Sequence, residues 1–430
     1  MQNSALTFHE MKIIMNNNYT DKCKKELELY VHIPFCIKKC AYCDFLSAPA
    51  DEKSRFVYME ALKNEIRAKA LGIKSNSDIT GKANITGTTD KKELSDYIVT
   101  SVFVGGGTPT VLDGESLADL LKVIKEYFDV AEDAEITFEC NPGTADFEKL
   151  KLCHDAGYNR ISIGLQSTMN DELKTLGRIH SYEAFEQVYS YAVKSGFENI
   201  NVDLMSAIPG QTIDSLNKGI DRILELKPRP KHISAYSLIL EEGTAFWKMN
   251  EAGELMLPDE DAEREMHWMI IDRLEKEGYQ EYELSNLAIP GYECRHNIGY
   301  WIRKPYIGLG LGAASLFEGR RLTNTRNISE YIEYYGSAIA DTDNMPLSED
   351  ILLNREDEIE EFMFLGLRMT RGVSKAEFRG RFDTDIEEIY GDVIAANVKN
   401  GLLECSDGFI CLSRKGQDLA NYVFSQFILG

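Results

Sequence analysis

The chain reads as an α/β protein: a partial (β/α)6 TIM-like barrel followed by a small, mainly helical, winged-helix-like C-terminal domain. Three observations predict this. A unit of short apolar strand, polar turn and amphipathic helix recurs about six times over the first two-thirds of the chain, and such alternation implies parallel strands joined by right-handed crossovers. About six units fall short of the eight that close a full barrel, so the sheet is expected to stay open. The end of the chain changes character, with helices interrupted by one short hairpin pattern.

The elements follow in order. Leu27–Ile33 is the first strand and Tyr97–Val104 the second, the latter so continuously apolar that both of its faces should be covered. Further strands are expected at Glu135–Glu139, Arg160–Gly164, Asn201–Met205 and His232–Leu238. Between them Leu117, Leu120, Leu121, Ile124 and Phe128 recur at helical spacing and predict a helix over Ser116–Phe128. Residues 1–26 form an N-terminal extension and 27–290 the barrel. Within the barrel, residues 75–92 are rich in Ser, Thr, Asn, Gly and Lys and read as a surface insertion. The repeat stops near Pro290, and residues 291–345 form a Gly- and aromatic-rich connecting region. Residues 346–430 form the C-terminal domain, with a helix at Arg355–Met369, a hairpin near Leu402–Leu412 and a terminal helix.

Composition narrows the function. Of 430 residues 43% are apolar and 27% charged, as in a globular protein with a sizeable core. A formal net charge of −23 argues against a nucleic-acid partner, since phosphates require a basic surface. No apolar run approaches the roughly 20 residues that span a bilayer. The N-terminus lacks the apolar core and cleavage site of a signal peptide, so a cytoplasmic location is expected. Nine cysteines, an odd number widely scattered, do not form a disulfide framework. Cys23, Cys140, Cys153, Cys294, Cys405 and Cys411 stand alone and read mostly as small buried hydrophobes.

The remaining three, Cys36, Cys40 and Cys43, lie in one short loop directly after the first strand. Three thiolates so spaced can ligate three irons of a [4Fe–4S] cubane and leave the fourth without a protein ligand, open to a small chelating molecule. Zinc is the competing reading, but it takes four ligands, usually in two close pairs, and no second pair is evident. The loop also sits where parallel barrels place their sites, at the C-terminal end of a strand. Gly105-Gly106-Gly107-Thr108-Pro109-Thr110 occupies the same position after the second strand, where missing Cβ atoms let backbone approach a ligand.

Tyr30-Val-His-Ile-Pro-Phe-Cys36-x3-Cys40-x-Tyr-Cys43 together with Gly105-Gly-Gly-Thr-Pro-Thr resembles the radical S-adenosylmethionine (SAM) superfamily, from about Tyr30 to the C-terminus. More narrowly it resembles the group that holds oxygen-independent coproporphyrinogen III oxidases and heme chaperones. The resemblance implies that the open iron takes the amino and carboxylate groups of SAM, and that an electron from the cluster can cleave SAM to a 5′-deoxyadenosyl radical. It also implies SAM contacts at Tyr30, Gly106, Gly107, Thr108, Glu139, Gln166, Arg178 and Asp203. A carboxylate such as Glu139 facing an ammonium is physically sensible. Simpler roles are a turn cap for Glu139, a partner to a buried amide for Asp203 and a surface ion pair for Arg178.

Two details separate the branches of that group. The oxidases carry another cysteine two residues beyond the third ligand, whereas here Cys43 is followed by Asp44 and Phe45, an ending that resembles the chaperones. His296-Asn297-Ile-Gly-Tyr300-Trp301 matches the HNxxYW motif that the chaperone branch associates with heme. An imidazole can ligate heme iron and aromatic rings can pack on a porphyrin. The Gly-rich run Tyr306–Gly312 could bring backbone close to a flat ligand. The other reading is a packed hinge in which His296 is hydrogen-bonded and Trp301 buried, and Cys294 competes as an axial ligand. The implied function is a heme chaperone that binds a [4Fe–4S] cluster, SAM and heme and passes heme to an acceptor protein, with an electron donor needed if SAM is cleaved. The alternative is a radical-SAM oxidase that decarboxylates coproporphyrinogen III, or another enzyme of that superfamily.

Overall fold

A computed structural model describes residues 24–72, 94–336 and 345–429. The insertion expected at 75–92 and almost all of the N-terminal extension, Cys23 included, lie outside these residues.

Six parallel strands stand side by side in chain order: β1 (Lys25–Ile33), β2 (Tyr97–Gly106), β3 (Val130–Cys140), β4 (Arg160–Gln166), β5 (Asn199–Ser206) and β6 (His232–Ser237). Each is followed by a helix, among them Glu52–Gly72, Gly114–Tyr127, Phe147–Ala156, Tyr182–Ser195, Ile213–Glu225 and Glu260–Lys276. The sheet does not close. Beyond β6 it turns antiparallel into β7 (Gln280–Glu283) and β8 (Asn286–Ala288). The partial (β/α)6 barrel is therefore present.

Pleating explains the division of labour within these strands. On β1, Leu27, Leu29, Val31 and Ile33 are buried against the helices, while Glu28, Tyr30 and His32 take the opposite face. The same alternation sets Ile136 and Phe138 against Glu135, Thr137 and Glu139 on β3, and Val202 and Leu204 against Asn201 and Asp203 on β5. The outer layer supplies cohesion, each buried Leu or Ile contributing about 2 kcal/mol. The inner layer holds the polar chemistry.

Past Pro290 the chain does more than connect. β9 (Tyr306–Leu309) adds in parallel to the free side of β1, and β10 (Ala314–Phe317), β11 (Arg320–Asn324) and β12 (Leu347–Leu352) extend the sheet antiparallel, giving twelve strands. The main sheet thus runs through Leu352, past the residue-345 boundary that composition suggested. β12 is an exposed edge with the sequence LSEDIL, which carries no burial periodicity to reveal it. The C-terminal part has its own core around Met363, Phe378, Ile386, Tyr390, Ile410 and Phe427. Its helices Arg355–Gly366, Lys375–Phe382 and Ile386–Lys399 accompany a small sheet of β13 (Val373–Ser374), β14 (Leu403–Ser406) and β15 (Phe409–Leu412).

No helix among the described residues is long and apolar enough to cross a membrane.

Candidate functional site

The Cys36–Cys43 loop has little regular structure, so its shape comes from backbone hydrogen bonds to its neighbours. Cys36 N donates to Ala48 O (3.2 Å), Ala41 N to Leu176 O (3.0 Å) and Phe246 N to Ala41 O (2.9 Å). The Gly-rich turn grips the loop from the other side. Gly107 N donates to Ile33 O (2.8 Å), and Thr108 N to Phe35 O (2.7 Å). A Cβ on Gly107 would stand 2.5 Å from Phe35 O, and Gly106 has φ +108° with the His32 ring where a side chain would go. Only glycine permits this approach. Thr108 Oγ1 comes 3.5 Å from Cys36 Sγ, and Arg178 Nη1 donates to Cys40 Sγ at 3.5 Å.

All three thiols are partly exposed and none is in a disulfide. Burial pushes the Cys43 thiol up, and nearby Cys40 and Cys36 add to the effect. Such a trio gains from a positively charged group that takes it as thiolates. Among the described residues no three His, Cys, Asp or Glu side chains gather tightly enough for a single metal ion. Three free thiols in one loop, one per iron corner, are the donor chemistry that a cubane with one open iron takes.

Beside this loop the inner faces of β3 to β6 converge. A Cβ on Gly164 would meet Gln166 Nε2 at 3.1 Å, Arg178 Nη2 at 3.2 Å and Asp203 Oδ2 at 3.7 Å, so these three side chains surround one point. Arg178 Nη2 donates to Gly164 O (2.8 Å), while its buried Nε has no hydrogen-bond partner among the described residues. Gln166 holds a left-handed φ of 72° and accepts from Tyr236 OH (2.9 Å). Asp203 Oδ1 accepts from Asn201 Nδ2 at 2.7 Å and Ser162 Oγ at 3.4 Å. Burial raises the Asp203 carboxyl, against those hydrogen bonds and the Arg160 and Arg178 cations. Glu139 Oε2 accepts from Gly106 N (3.0 Å); burial and the neighbouring Asp203 charge push its pKa to about 7. Tyr30 stacks on Phe103 at 6.4 Å and its hydroxyl bonds His32 Nδ1 at 3.0 Å. The positions Tyr30, Gly106, Gly107, Thr108, Glu139, Gln166, Arg178 and Asp203 therefore form one inward-facing constellation around the cysteine loop.

Sequence reasoning overlooked Tyr236, Asn201 and Ser162, which hold Gln166 and Asp203 in place. Period-2 alternation was the available signal, because Asn201 shares a strand face with Asp203 and Tyr236 with Ser234.

The HNxxYW residues divide. The helix Arg295–Trp301 begins at Glu135, whose carboxylate accepts from Arg295 N (3.1 Å), His296 N (3.2 Å) and the Cys294 thiol (3.4 Å). His296 is 1% exposed with both ring nitrogens engaged, Nδ1 with Ser101 Oγ (2.9 Å) and Nε2 with Tyr300 OH (3.0 Å). Burial and the Arg160 charge lower its pKa to about 3, so the ring is neutral. Sequence left His296 between a heme contact and a hydrogen-bonded place in a packed hinge; here it is buried and the polar barrel interior engages both of its nitrogens. Cys294 is fully buried, and its thiol is held protonated by burial. Asn297 is half-buried and lies outside the cavity described next.

Tyr300 and Trp301 do face open space. They line a cavity of about 670 Å³ with Tyr30, His32 and Asp44-Phe45-Leu46 from the end of the cysteine loop. Arg321 and Arg326 close another side, and Glu361, Phe364 and Leu365 of the C-terminal part complete it. The volume lies in the range of small-molecule and cofactor sites. Arg368 stacks over the Trp301 ring at 4.4 Å.

The description "Radical SAM superfamily" matches residues 90–223, and "HemN C-terminal domain" matches residues 353–419. Heme chaperone HemW of Lactococcus lactis subsp. lactis (strain IL1403) is 35% identical over 410 residues, covering 94% of this chain and 98% of the relative. Heme chaperone HemW of Bacillus subtilis (strain 168) is 35% identical over 405 residues, covering 93% and 98%. The solved structure of coproporphyrinogen III oxidase (HemN) from Escherichia coli, described as a radical SAM enzyme, superposes with a TM-score of 0.77. It covers 94% of this chain and 91% of that one at 22% identity, a likeness of fold. With a third of its residues identical along nearly its whole length, the chain belongs to the heme chaperone HemW family of the radical SAM superfamily.

Proposed function

We propose that this chain is a cytoplasmic heme chaperone that binds heme on a radical-SAM scaffold and passes it to an acceptor protein. The observation that carries the reading is the shared cavity. The Cys-Asp-Phe ending of the cysteine loop and the Tyr-Trp ending of HNxxYW, distant in sequence, line the same 670 Å³ space. Phe45 is 62% exposed there. An exposed aromatic beside Tyr300 and Trp301 is a surface suited to a flat apolar ring.

Cys36, Cys40 and Cys43 would hold the [4Fe–4S] cluster. Glu139 would face the amino group of SAM and accept its hydrogen bond, with Gln166, Arg178 and Asp203 around the remainder and Gly106, Gly107 and Thr108 giving backbone access. When bound, a cluster with one open iron supplies a chelating metal corner and a transferable electron. Tyr30 belongs to both compartments: electrostatically it faces Glu139, and its ring lines the heme cavity. Tyr300 and Trp301 would touch the porphyrin. His296 would act as a positioning residue that fixes the Tyr300 hydroxyl, with Asn297 on the same helix outside the contact surface. An electron donor is required only if SAM is cleaved.

An anaerobic heme titration of cluster-reconstituted protein, followed by absorbance, tests the reading. Saturable binding near one heme per chain, weakened in Trp301→Ala, supports the carrier. No saturable binding refutes it. Turnover of coproporphyrinogen III with SAM and a reductant would then favour the oxidase.

A further inference from the structure

The cavity is not uniformly apolar, and its charges are unequally matched. Glu361 is committed on both oxygens: Oε2 accepts from Arg303 Nε (2.8 Å) and Oε1 from Arg321 Nη2 (2.7 Å). Arg321 also donates to Tyr306 OH at 3.2 Å, so its guanidinium is fixed in the wall. Arg326 differs. It lines the same cavity but makes no hydrogen bond or ion pair with any described residue. Its charge is felt inside: after burial, it is a further cause lowering the His32 pKa. Its Cγ lies 3.7 Å from where a Cβ on Gly312 would stand, beside the Gly-rich run. Asp44, the other carboxylate in the lining, is solvent-exposed. In a chain of net charge −23, an arginine left unpaired at a cavity wall is a site for an anion. Trp301, Phe364 and Leu365 supply apolar lining to the same cavity.

Resting on the heme reading above, we propose that Arg326 pairs with a propionate carboxylate of the porphyrin, with Arg321 as the second cation at that edge. The macrocycle is thereby oriented with its carboxylate edge toward Arg326 and its apolar edge toward Trp301, Phe364 and Leu365. Guanidinium–carboxylate pairs are the strong, directional kind of hydrogen bond. Heme also carries two carboxylates on one edge, which suits a cavity lined by two arginines.

The test compares heme with its dimethyl ester, in which both propionates are blocked. Each is titrated by absorbance into full-length, cluster-reconstituted wild type, Arg326→Glu and Arg326→Lys. Arg326 is exposed and unpaired, and retention of the cluster absorption verifies folding. Arg326→Glu should weaken heme binding roughly tenfold or more, as expected for losing a charge-assisted pair. Ester binding should be the same in all three proteins, and Arg326→Lys should recover most of the heme affinity. Equal heme affinity in wild type and Arg326→Glu would overturn the propionate contact while leaving the heme reading intact. Equal weakening for heme and ester would show a packing role and also overturn it. Failure of wild type to bind either porphyrin would overturn the heme reading and this inference together.

Discussion

Glu28 offers the sharpest test of the physical account of the barrel interior. It is fully buried on β1, and among the described residues neither carboxylate oxygen has a partner at full hydrogen-bond geometry, although Ser101 and Lys304 stand near. The Lys304 ammonium lies 3.6 Å from one oxygen, and the neutral His296 ring 3.8 Å from the other. Its carboxylate lies against Gly299 of HNxxYW, where a Cβ would collide with it. Burial, partly offset by Lys304, raises the pKa from 4.5 to about 8. Between those values the folded chain keeps a proton that the unfolded chain has released. The group's contribution is therefore full below 4.5 and is lost as pH rises through 8. At about 1.36 kcal/mol per pH unit, the limit is roughly 5 kcal/mol, and relaxation around the site should leave on the order of 2–3. Glu28→Gln keeps the shape and removes the titration. The variant should match wild type near pH ~5 and exceed its stability by about 2 kcal/mol near pH ~8. Anaerobic urea unfolding followed by tryptophan fluorescence measures this. Wild-type and variant stabilities that stay parallel across that range would refute the assignment of a buried, protonated Glu28.

Three further outcomes are expected. Cys40→Ser should fold but fail to assemble the cubane, losing the brown absorption on anaerobic reconstitution; a full complement of iron and sulfide would contradict the ligand set. SAM affinity, measured by equilibrium dialysis, should rise with pH through about 7 as Glu139 ionises to accept from the SAM amino group, and Glu139→Gln should flatten that dependence and bind roughly tenfold more weakly. Gly107→Ala places a methyl group against Phe35 O and should cut cluster loading severalfold while leaving far-ultraviolet circular dichroism unchanged; normal loading would mean that the turn is not seated as described.

Local pattern carried much of this protein in its sequence. Strand–helix alternation announced the six parallel units, because a strand covered on both faces and an amphipathic helix leave distinct periodicities. The cysteine loop, the glycine turn and HNxxYW were visible because each packs its chemistry into a few consecutive residues. The tertiary structure alone decided what meets what. Gln166, Arg178 and Asp203 surround one point only because β4 and β5 are paired in a particular register and the turn after β4 folds back. HNxxYW divides into a buried histidine and a cavity-facing tryptophan because Glu135 and Ser101, far away in sequence, seize one end of its helix. β12 and the cavity that joins Phe45 to Trp301 left no periodic trace, since an exposed edge strand and a gap between packed elements impose no rhythm on the residues around them. Sequence fixes which face of an element avoids water; where those faces come together depends on long-range packing that no short window of residues contains.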